Sequence, residues 1–276
     1  MRSGESLQRR PRWLSALAHG LAWLLVVLAV GPALWLMIVA FQPPRTDLDS
    51  VSGFSLVNFA TAWTDGKLLW PMVNSFLVTL ARAGLNVLIA ALAAYPLARM
   101  KFRGRETLFV LLLGTMMIPE QVLVVPMFKT IAQLGLYDTL AAVVLPLAVT
   151  AFGIYLCRQA FLAIPDEVEE AARIDGAGPL RIWWSVFLPL IQPTLATLAI
   201  FSVIGAWSDL LWPLIVLQSR DNFTLPVALA GLMGQFSTNV RAAYAGSVIA
   251  MAPVVLFFVV AQRLFRPELM AGSVKG

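Results

Sequence analysis

The sequence carries little charge, one cysteine and one histidine, and each shortage excludes a class of protein. Asp, Glu, Lys and Arg make up 13% of the 276 residues, about half the share found in a soluble domain. So few charged side chains cannot solvate a globule of this size, which excludes a soluble cytosolic enzyme. Cys157 alone forms neither an internal disulfide nor a cysteine-based metal cluster. His19 alone removes most histidine-dependent catalysis and histidine-ligated metal sites, so we expect no catalytic residue and no bound metal.

Hydrophobic residues make up 59% of the chain and are grouped in long apolar stretches. A helix needs about 20 mostly apolar residues to cross a bilayer core. Prolines inside such stretches, Pro119 and Pro253 among them, do not exclude a membrane helix, because neighbouring helices can satisfy the freed carbonyls. We therefore predict an all-α integral membrane protein with six transmembrane helices. The six stretches are residues 17–41, 73–98, 108–128, 140–161, 194–214 and 244–265.

Lysine and arginine are distributed unevenly between the two sides of these spans. The N-terminal segment, the second and fourth connections and the C-terminal tail carry 14 of them, whereas the other three connections carry five. Basic residues accumulate on the cytoplasmic side of a membrane, which places both termini in the cytoplasm. The expected organisation is a cytoplasmic segment (1–16), a transmembrane domain (17–265) and a cytoplasmic tail (266–276). This asymmetry accounts for the net charge of +5, so no nucleic-acid partner is expected.

The fourth connection, residues 162–193, holds five of the 15 carboxylates of the chain. Pro165 suits the first position of a helix, and the acidic residues after it favour the positive end of the helix dipole. Gly176 is placed to end this helix in a left-handed conformation, and Pro179 opens a second helix. We expect a rigid helix–turn–helix whose small, acidic edge is available to another protein. Its predicted apolar positions are Val168, Ala171 and Ala172 in the first helix and Leu180, Trp183, Trp184, Phe187 and Leu188 in the second.

The same loop resembles a known family motif. Glu170-Ala171-Ala172, Gly176 and Leu188-Pro189 have the spacing of the EAA motif of binding-protein-dependent ABC importer permeases, and Asp175 and Ala177 extend the match. Nearly the whole chain is similar to the MalG-like permeases of carbohydrate importers. The stretches that carry this wider resemblance are 74–75, 117–121, 134–139, 207–214 and 271–276.

The resemblance implies a type I ABC importer permease fold that crosses the bacterial cytoplasmic membrane several times. The loop at 162–193 is then a coupling helix that seats in a cleft of a cytoplasmic ATPase, with Glu170 facing a basic residue of that ATPase. The implied coupling residues are Glu170, Ala171, Ala172, Asp175, Gly176, Ala177, Leu188 and Pro189, and the implied tail contacts with the ATPase are Gly272, Lys275 and Gly276.

The resemblance also implies several partners. These are an ATPase dimer, a second and non-identical permease, an extracytoplasmic solute-binding protein and the surrounding lipid. This chain has no phosphate-binding loop, because its only Gly-Lys pair, Gly66-Lys67, is followed by leucine and lacks a glycine five residues earlier. ATP is therefore expected on the separate ATPase, with no cofactor on this chain.

Polar side chains within or beside the spans are candidates for a substrate pathway. A carboxylate beside aromatic rings suits a sugar, whose C–H faces stack on rings and whose hydroxyls need acceptors. The same residues equally fit an interfacial tryptophan belt in which Asp209 caps a helix or pairs with another group. Arg82, in the second span, is explained at least as well by helix packing as by a pathway. The candidates are Asn74, Glu120, Gln121, Trp207 and Asp209.

Three alternatives remain open. An ABC permease for glycerol phosphate or another non-sugar solute is the first, and a phosphate-bearing substrate predicts a cation such as Arg82 facing the cavity. A secondary transporter or channel needs coupling carboxylates or inverted repeats near the midplane, and neither is clear in the sequence. A membrane-embedded enzyme needs a polar catalytic cluster inside the spans, which the sequence lacks. Dependence on ATP and on partner subunits separates these classes.

Overall fold

The computed structural model describes residues 12–44, 53–235 and 239–261. Within these ranges the chain forms helices and turns and contains no β-strand, which confirms the predicted all-α class. The tail residues Gly272, Lys275 and Gly276 lie outside the described residues. The helices are α1 (Arg12–Ala40), α2 (Val57–Thr64), α3 (Leu69–Arg99), α4 (Arg105–Thr115), α5 (Glu120–Gln133), α6 (Leu140–Leu147), α7 (Ala151–Leu162), α8 (Asp166–Ile174), α9 (Pro179–Leu190), α10 (Gln192–Ser208), α11 (Leu211–Val216), α12 (Leu225–Gln235) and α13 (Val240–Ala261).

Three helices of the described chain are long and apolar enough to cross a membrane unbroken. They are α1 over His19–Ala40, α3 over its whole length and α13 over Val240–Val260. These helices match the predicted spans at 17–41, 73–98 and 244–265. Pro253 lies inside α13 without interrupting it, as expected for a membrane helix.

Two of the other predicted spans, 108–128 and 140–161, each contain a bend between two helices, and a third bend comes just before the predicted span at 194–214. α4 and α5 meet at 100°, α6 and α7 at 44°, and α9 and α10 at 79°. Unbroken helices alone give three crossings, and counting each bent pair as one span gives up to six. The sequence predicted one span for each stretch and did not predict where a bend falls.

The bends lie where the helical hydrogen bonding is interrupted. Pro119 precedes α5 in an extended conformation (ψ 131°), and its ring disfavours helical geometry at the residue before it. Thr150 is also extended, and its Oγ1 accepts the N–H of Gly153 at 3.0 Å, which caps the start of α7. Pro193 stands at the start of α10, where its missing N–H has no partner to lose.

The helix α3 lies at the centre of the described fold, packed against α7 and α10. Its C-terminal half enters the largest buried cluster, in which Tyr95 packs edge-on against the rings of Phe161 and Phe187. By contrast, α1 contacts mainly α13 and leaves most of its apolar side chains exposed. A surface of that kind is covered by lipid or by another membrane protein.

Candidate functional site

The acidic loop folds as the sequence predicts, as a short helix, a glycine turn and a second helix. Gly176 has φ +78°, the left-handed conformation that glycine adopts without strain. Its N–H donates to Arg173 O at 3.0 Å, and the N–H of Ala177 donates to Ala172 O at 3.0 Å. These two bonds form a Schellman motif, which satisfies the last carbonyls of α8. The predicted glycine cap is confirmed.

The two faces of α8 have different surroundings. Val168 and Ala172 pack against the buried cluster around α3, and Ala177 joins them after the turn. Glu170 and Ala171 are exposed, and Ile174 is 87% exposed. The small apolar face predicted for this helix is therefore divided, with Ala171 on the open side. We call Glu170, Ala171 and Ile174 the exposed edge of α8.

The second helix, α9, buries one side only. Trp183 and Phe187 are buried, and the Nε1–H of Trp183 donates to Ala91 O of α3 at 3.2 Å. Leu180 and Trp184 are 73% and 64% exposed. The predicted apolar stripe therefore has one side packed on α3 and one exposed side, which carries Leu180 and Trp184. Leu188 packs against the buried cluster, and Pro189 is exposed.

One arginine joins α3 to the loop. Arg99, the last residue of α3, donates through Nη2 to Phe161 O at 2.5 Å and to Ile164 O, and through Nη1 to the carboxylate of Asp166. Its guanidinium lies 5.0 Å from the ring centroid of Phe187, a favourable cation–π distance. In the sequence, Arg99 is one of the 14 Lys and Arg residues on the predicted cytoplasmic side. A basic helix end and an acidic loop on the same side favour ion pairs, but the sequence does not identify the partners.

A second carboxylate supports this contact from within α8. Glu169 is buried, and its Oε1 accepts from Arg173 Nη2 at 2.6 Å, while its Oε2 lies 3.9 Å from Arg99 Nη1. Glu169 is therefore held inside the molecule, and its neighbour Glu170 is left on the surface. Adjacent glutamates of the same motif thus have opposite surroundings.

A further arginine ties α4 to α7. Arg158 Nη2 lies 3.0 Å and 3.1 Å from the two carboxylate oxygens of Glu106, and its Nε–H donates to Leu97 O at 3.0 Å. The ring of Phe109 stands 3.9 Å from the guanidinium carbon. Arg158 and Arg99 together fix the helix ends on the predicted cytoplasmic side.

Asn74, a candidate for the substrate pathway, braces a loop on the predicted external side. It is buried, and its Nδ2 donates to Asp221 O at 2.8 Å and to Phe223 O at 3.0 Å. The adjacent Ser75 Oγ accepts the N–H of Leu225 at 2.7 Å. The start of α3 is thereby attached to residues 221–225.

Asp209 pairs with the intramembrane cation. Arg82 Nη1 lies 2.7 Å from Asp209 Oδ2, and the two side chains are only 13% and 15% exposed. Asp209 also ends α10, at the break before α11. The sequence left open whether Asp209 binds a sugar or pairs with another group, and the structure shows the ion pair with Arg82. Trp207 is buried as well, with its Nε1–H donating to Ala250 O at 3.2 Å.

The remaining pathway candidates stand apart. Glu120 and Gln121 are exposed at the start of α5. Within the described part of the chain, no hydrogen bond or ion pair joins them to Asn74, Trp207 or Asp209. The five candidates therefore do not form one site in this conformation.

The sequence analysis missed a polar contact deep in the bundle. Asn86 of α3 donates through Nδ2 to Ser202 Oγ at 2.7 Å, and its Oδ1 accepts the N–H of Thr150 at 2.9 Å. A Cβ at Gly153 would stand 3.1 Å from Asn86 Oδ1, so a small residue is needed there. A lone asparagine in an apolar run gives the only sequence signal for this contact.

On the predicted external side, Asp138 fastens the turn after α5 to the loop after α11. It has φ +59°, and its Oδ1 accepts the N–H groups of Gln218 and Ser219 at 2.8 Å and 2.9 Å. Ser219 Oγ donates to Oδ2, and Asn222 Nδ2 donates to Asp138 O at 2.6 Å. The hydrogen bonds from Ser219 and Gln218 to the charged carboxylate lower the pKa of Asp138 to about 2.

Replacing Asp138 by alanine is expected to lower the free energy of unfolding by about 0.5–1.5 kcal/mol, because the exposed N–H groups of Gln218 and Ser219 exchange a charged acceptor for water. The folded pKa of Asp138 lies below its unfolded value. The stabilisation is therefore present above about pH 4 and is lost as the pH falls through about 2. Thermal unfolding is measured on the lipid-reconstituted wild type and on Asp138→Ala. Their melting temperatures should converge as the pH falls. Asp221→Asn, a change to an exposed side chain of the same loop, is the control. A gap between wild type and Asp138→Ala that stays constant down to pH 2 contradicts this assignment.

No group of three or more His, Cys, Asp or Glu side chains within the described ranges could hold a metal ion.

Known proteins resemble this chain along most of its length. The family model for the inner membrane component of binding-protein-dependent transport systems matches residues 86–270. The arabinooligosaccharides transport system permease protein AraQ of Halalkalibacterium halodurans is 36% identical over 271 residues, covering 93% of this chain and 97% of that protein. The sn-glycerol-3-phosphate transport system permease protein UgpE of Shigella flexneri is 29% identical, and the match covers 94% of this chain and 96% of that protein. A chain from the crystal structure of a bacterial ABC transporter involved in alginate import has the same fold, with a TM-score of 0.80 and 24% identity. The match covers 95% of this chain and 100% of that chain.

Proposed function

This chain belongs to the family of inner membrane components of binding-protein-dependent transport systems, and we propose that it is one of two unlike permease subunits of an ATP-driven importer of a sugar or oligosaccharide. As a permease of this family, it is a multi-pass protein of the inner membrane and not an enzyme. An ATPase dimer binds and hydrolyses ATP, and an extracytoplasmic solute-binding protein delivers the substrate.

Six crossings follow if each bent pair of helices is one span, and both termini then lie in the cytoplasm. The distribution of Lys and Arg supports this topology. It places α8, Arg99 and Arg158 on the cytoplasmic side and Asp138 on the outer side. The transmembrane domain is residues 17–265.

The observation that carries the coupling role is the rigidly held loop with an open edge. Arg99, Glu169 and the Schellman turn fix α8, while Glu170, Ala171 and Ile174 stay exposed. An acidic side chain beside a small residue lets the backbone of another protein approach closely and gives its basic residue a partner. Ile174 adds an apolar side chain that a cleft would bury. Closure of the ATPase dimer on ATP then draws α8 inward and switches the helices between inward- and outward-facing states.

The coupling residues divide into two groups by their surroundings. Glu170 and Ala171 contact the ATPase, whereas Ala172, Ala177 and Leu188 hold the loop against the permease. Gly176 makes the turn, and Asp175 and Pro189 are exposed on either side of it. The tail residues Gly272, Lys275 and Gly276 are proposed to reach the same ATPase.

A sugar substrate is supported by the arabinooligosaccharide permease among the relatives and by the ion pair that Arg82 forms with Asp209. A phosphate-bearing substrate needs an uncompensated cation, and Arg82 is already paired with Asp209. The glycerol-3-phosphate permease among the relatives makes that substrate the second candidate.

The test is ATP hydrolysis by this chain reconstituted with its companion permease, ATPase and binding protein, across a panel of sugars and sugar phosphates. One sugar should stimulate hydrolysis and accumulate inside the vesicles. Stimulation by a sugar phosphate alone contradicts the sugar assignment. Uptake without ATP or without the partner subunits contradicts the importer itself.

Glu170→Lys is expected to reduce stimulated ATP hydrolysis more than about tenfold, because it places a cation against the basic residue of the ATPase. Glu167→Lys makes the same charge change one turn earlier on α8 and serves as the control. Equal losses in the two variants would show that net charge, rather than the exposed edge, explains the effect.

A further inference from the structure

Arg99 contacts residues near both ends of the coupling loop. Phe161 lies in the last turn of α7, Ile164 lies between α7 and α8, Asp166 opens α8, and Phe187 lies in α9. The Arg99 side chain is only 5% exposed. A guanidinium presents five donors in a planar fork, so it can satisfy several acceptors at once. One side chain thus supplies several directed hydrogen bonds between α3 and the loop.

This attachment matters because α3 has no chain connection to the loop. The loop continues directly from α7 and into α9, so motion of α8 reaches those helices through the backbone. The α3 helix meets the loop otherwise through packed rings such as Tyr95 on Phe161 and through the Trp183 hydrogen bond to Ala91 O. Packed helices slide past each other in shear motions, whereas a set of directed hydrogen bonds from one guanidinium fixes their register.

The other end of α3 is attached just as firmly. Asn74 and Ser75 bind the backbone of residues 221–225. The helix between them is unbroken over 31 residues, about 46 Å at 1.5 Å per residue. A displacement of its cytoplasmic end therefore reaches the external loop with little loss.

We propose that Arg99 is a positioning residue that makes α3 move with the coupling loop, so that ATPase closure rearranges the external loop at residues 221–225. The proposal rests on the coupling role proposed above for the loop. Arg99 contacts neither ATP nor substrate. Its role is to carry motion from one side of the membrane to the other.

The experiment uses the complete complex in vesicles and measures solute transported per ATP hydrolysed. Among complexes that retain the ATPase, Arg99→Met should lower the amount of solute transported per ATP hydrolysed roughly five- to tenfold, within the usual range of coupling between sites. Arg99→Lys should give an intermediate loss, because a single ammonium cannot reach the separate acceptors together. Lys101→Met removes an exposed cation two residues away and should leave the ratio unchanged.

A second readout follows the external loop directly. Asp221→Cys introduces a thiol on an exposed side chain, and the native Cys157 is fully buried. The rate at which a membrane-impermeant thiol reagent labels this position should change with ATP in the otherwise native complex and should not change in Arg99→Met. A merely structural role for Arg99 would alter assembly rather than this response.

Two results would overturn the inference. One is a wild-type ratio of transport to ATP, or an intact labelling response, in Arg99→Met. The other is loss of ATPase association in both Arg99→Met and Arg99→Lys, which would make Arg99 part of docking alone. Failure of the unmodified complex to transport with ATP is a separate result and contradicts the proposed function instead.

Discussion

Gly176→Val is expected to abolish ATP-driven transport while leaving the protein inserted in the membrane. Gly176 has φ +78°, and a Cβ there would have no heavy atom within 4 Å. Space is therefore available, and the penalty comes from the backbone alone. A β-branched residue in the left-handed region is strongly disfavoured. The variant should lose the Schellman turn, and the end of α8 with Ile174 should then leave its position. The measurements are ATPase co-purification and uptake by reconstituted vesicles.

The matched control is Gly178→Val, two residues along the chain. Gly178 has φ −75° and ψ 165°, an extended conformation that valine favours, and a Cβ there is equally free of neighbours. This control should retain transport. Gly176→Asn should lie between the two, because asparagine tolerates the left-handed conformation better than other side chains. Equal losses for valine at both positions would assign the effect to side-chain bulk at the interface rather than to the turn.

Removing one partner of the Arg82–Asp209 pair is expected to destabilise the protein more than any other single change considered. Both side chains are mostly buried, and a buried charge without its partner typically costs about 3–5 kcal/mol. Arg82→Leu and Asp209→Leu should each lower the melting temperature of the lipid-reconstituted protein markedly. The double variant should recover much of the loss, because it leaves no unpaired charge in the bundle. A double-mutant cycle gives the interaction energy.

A surface ion pair supplies the comparison for this cycle. Arg105 Nη2 lies 2.9 Å from Glu106, and the two side chains are 29% and 61% exposed. Arg105→Leu should cost at most about 1 kcal/mol. If the double variant at Arg82 and Asp209 is as unstable as the sum of the single variants, the two residues act independently and the pairing does not explain their burial.

The fold of the loop at residues 162–193 was predictable because its signals are local. A proline before an acidic first turn, a glycine after the last turn and a second proline define two helices without any information from the rest of the chain. The cap at Gly176 depends on residues within five positions of it. The exposed edge of α8 was predictable only in part, because the side of a short helix that faces the protein is set by its packing. Ala171 and Ala172 illustrate this, since they are adjacent and have different surroundings.

The helix bends and the side-chain pairs between residues far apart in the chain could not be predicted from local sequence signals. An apolar run has the same composition whether its helix is straight or bent, and Pro119 and Pro253 look alike in the sequence. Only the first lies at a break. The substrate candidates stay predictions for a related reason. Asn74 and Asp209 are polar residues in apolar surroundings, and this marks them as important without saying whether they bind a solute or brace the fold.

The Arg82–Asp209 pair also has a consequence for biosynthesis. Arg82 precedes its partner by 127 residues, and ribosomes add about 5–20 residues per second. Arg82 is therefore synthesised roughly 6–25 s before Asp209. During that interval the second span carries an uncompensated charge, which lipid tolerates poorly. The insertion machinery must shelter α3, or α3 must stay near the aqueous boundary, until the fifth span arrives. The order of synthesis thus delays the final packing of α3, the helix around which the finished bundle packs, until Asp209 has been made.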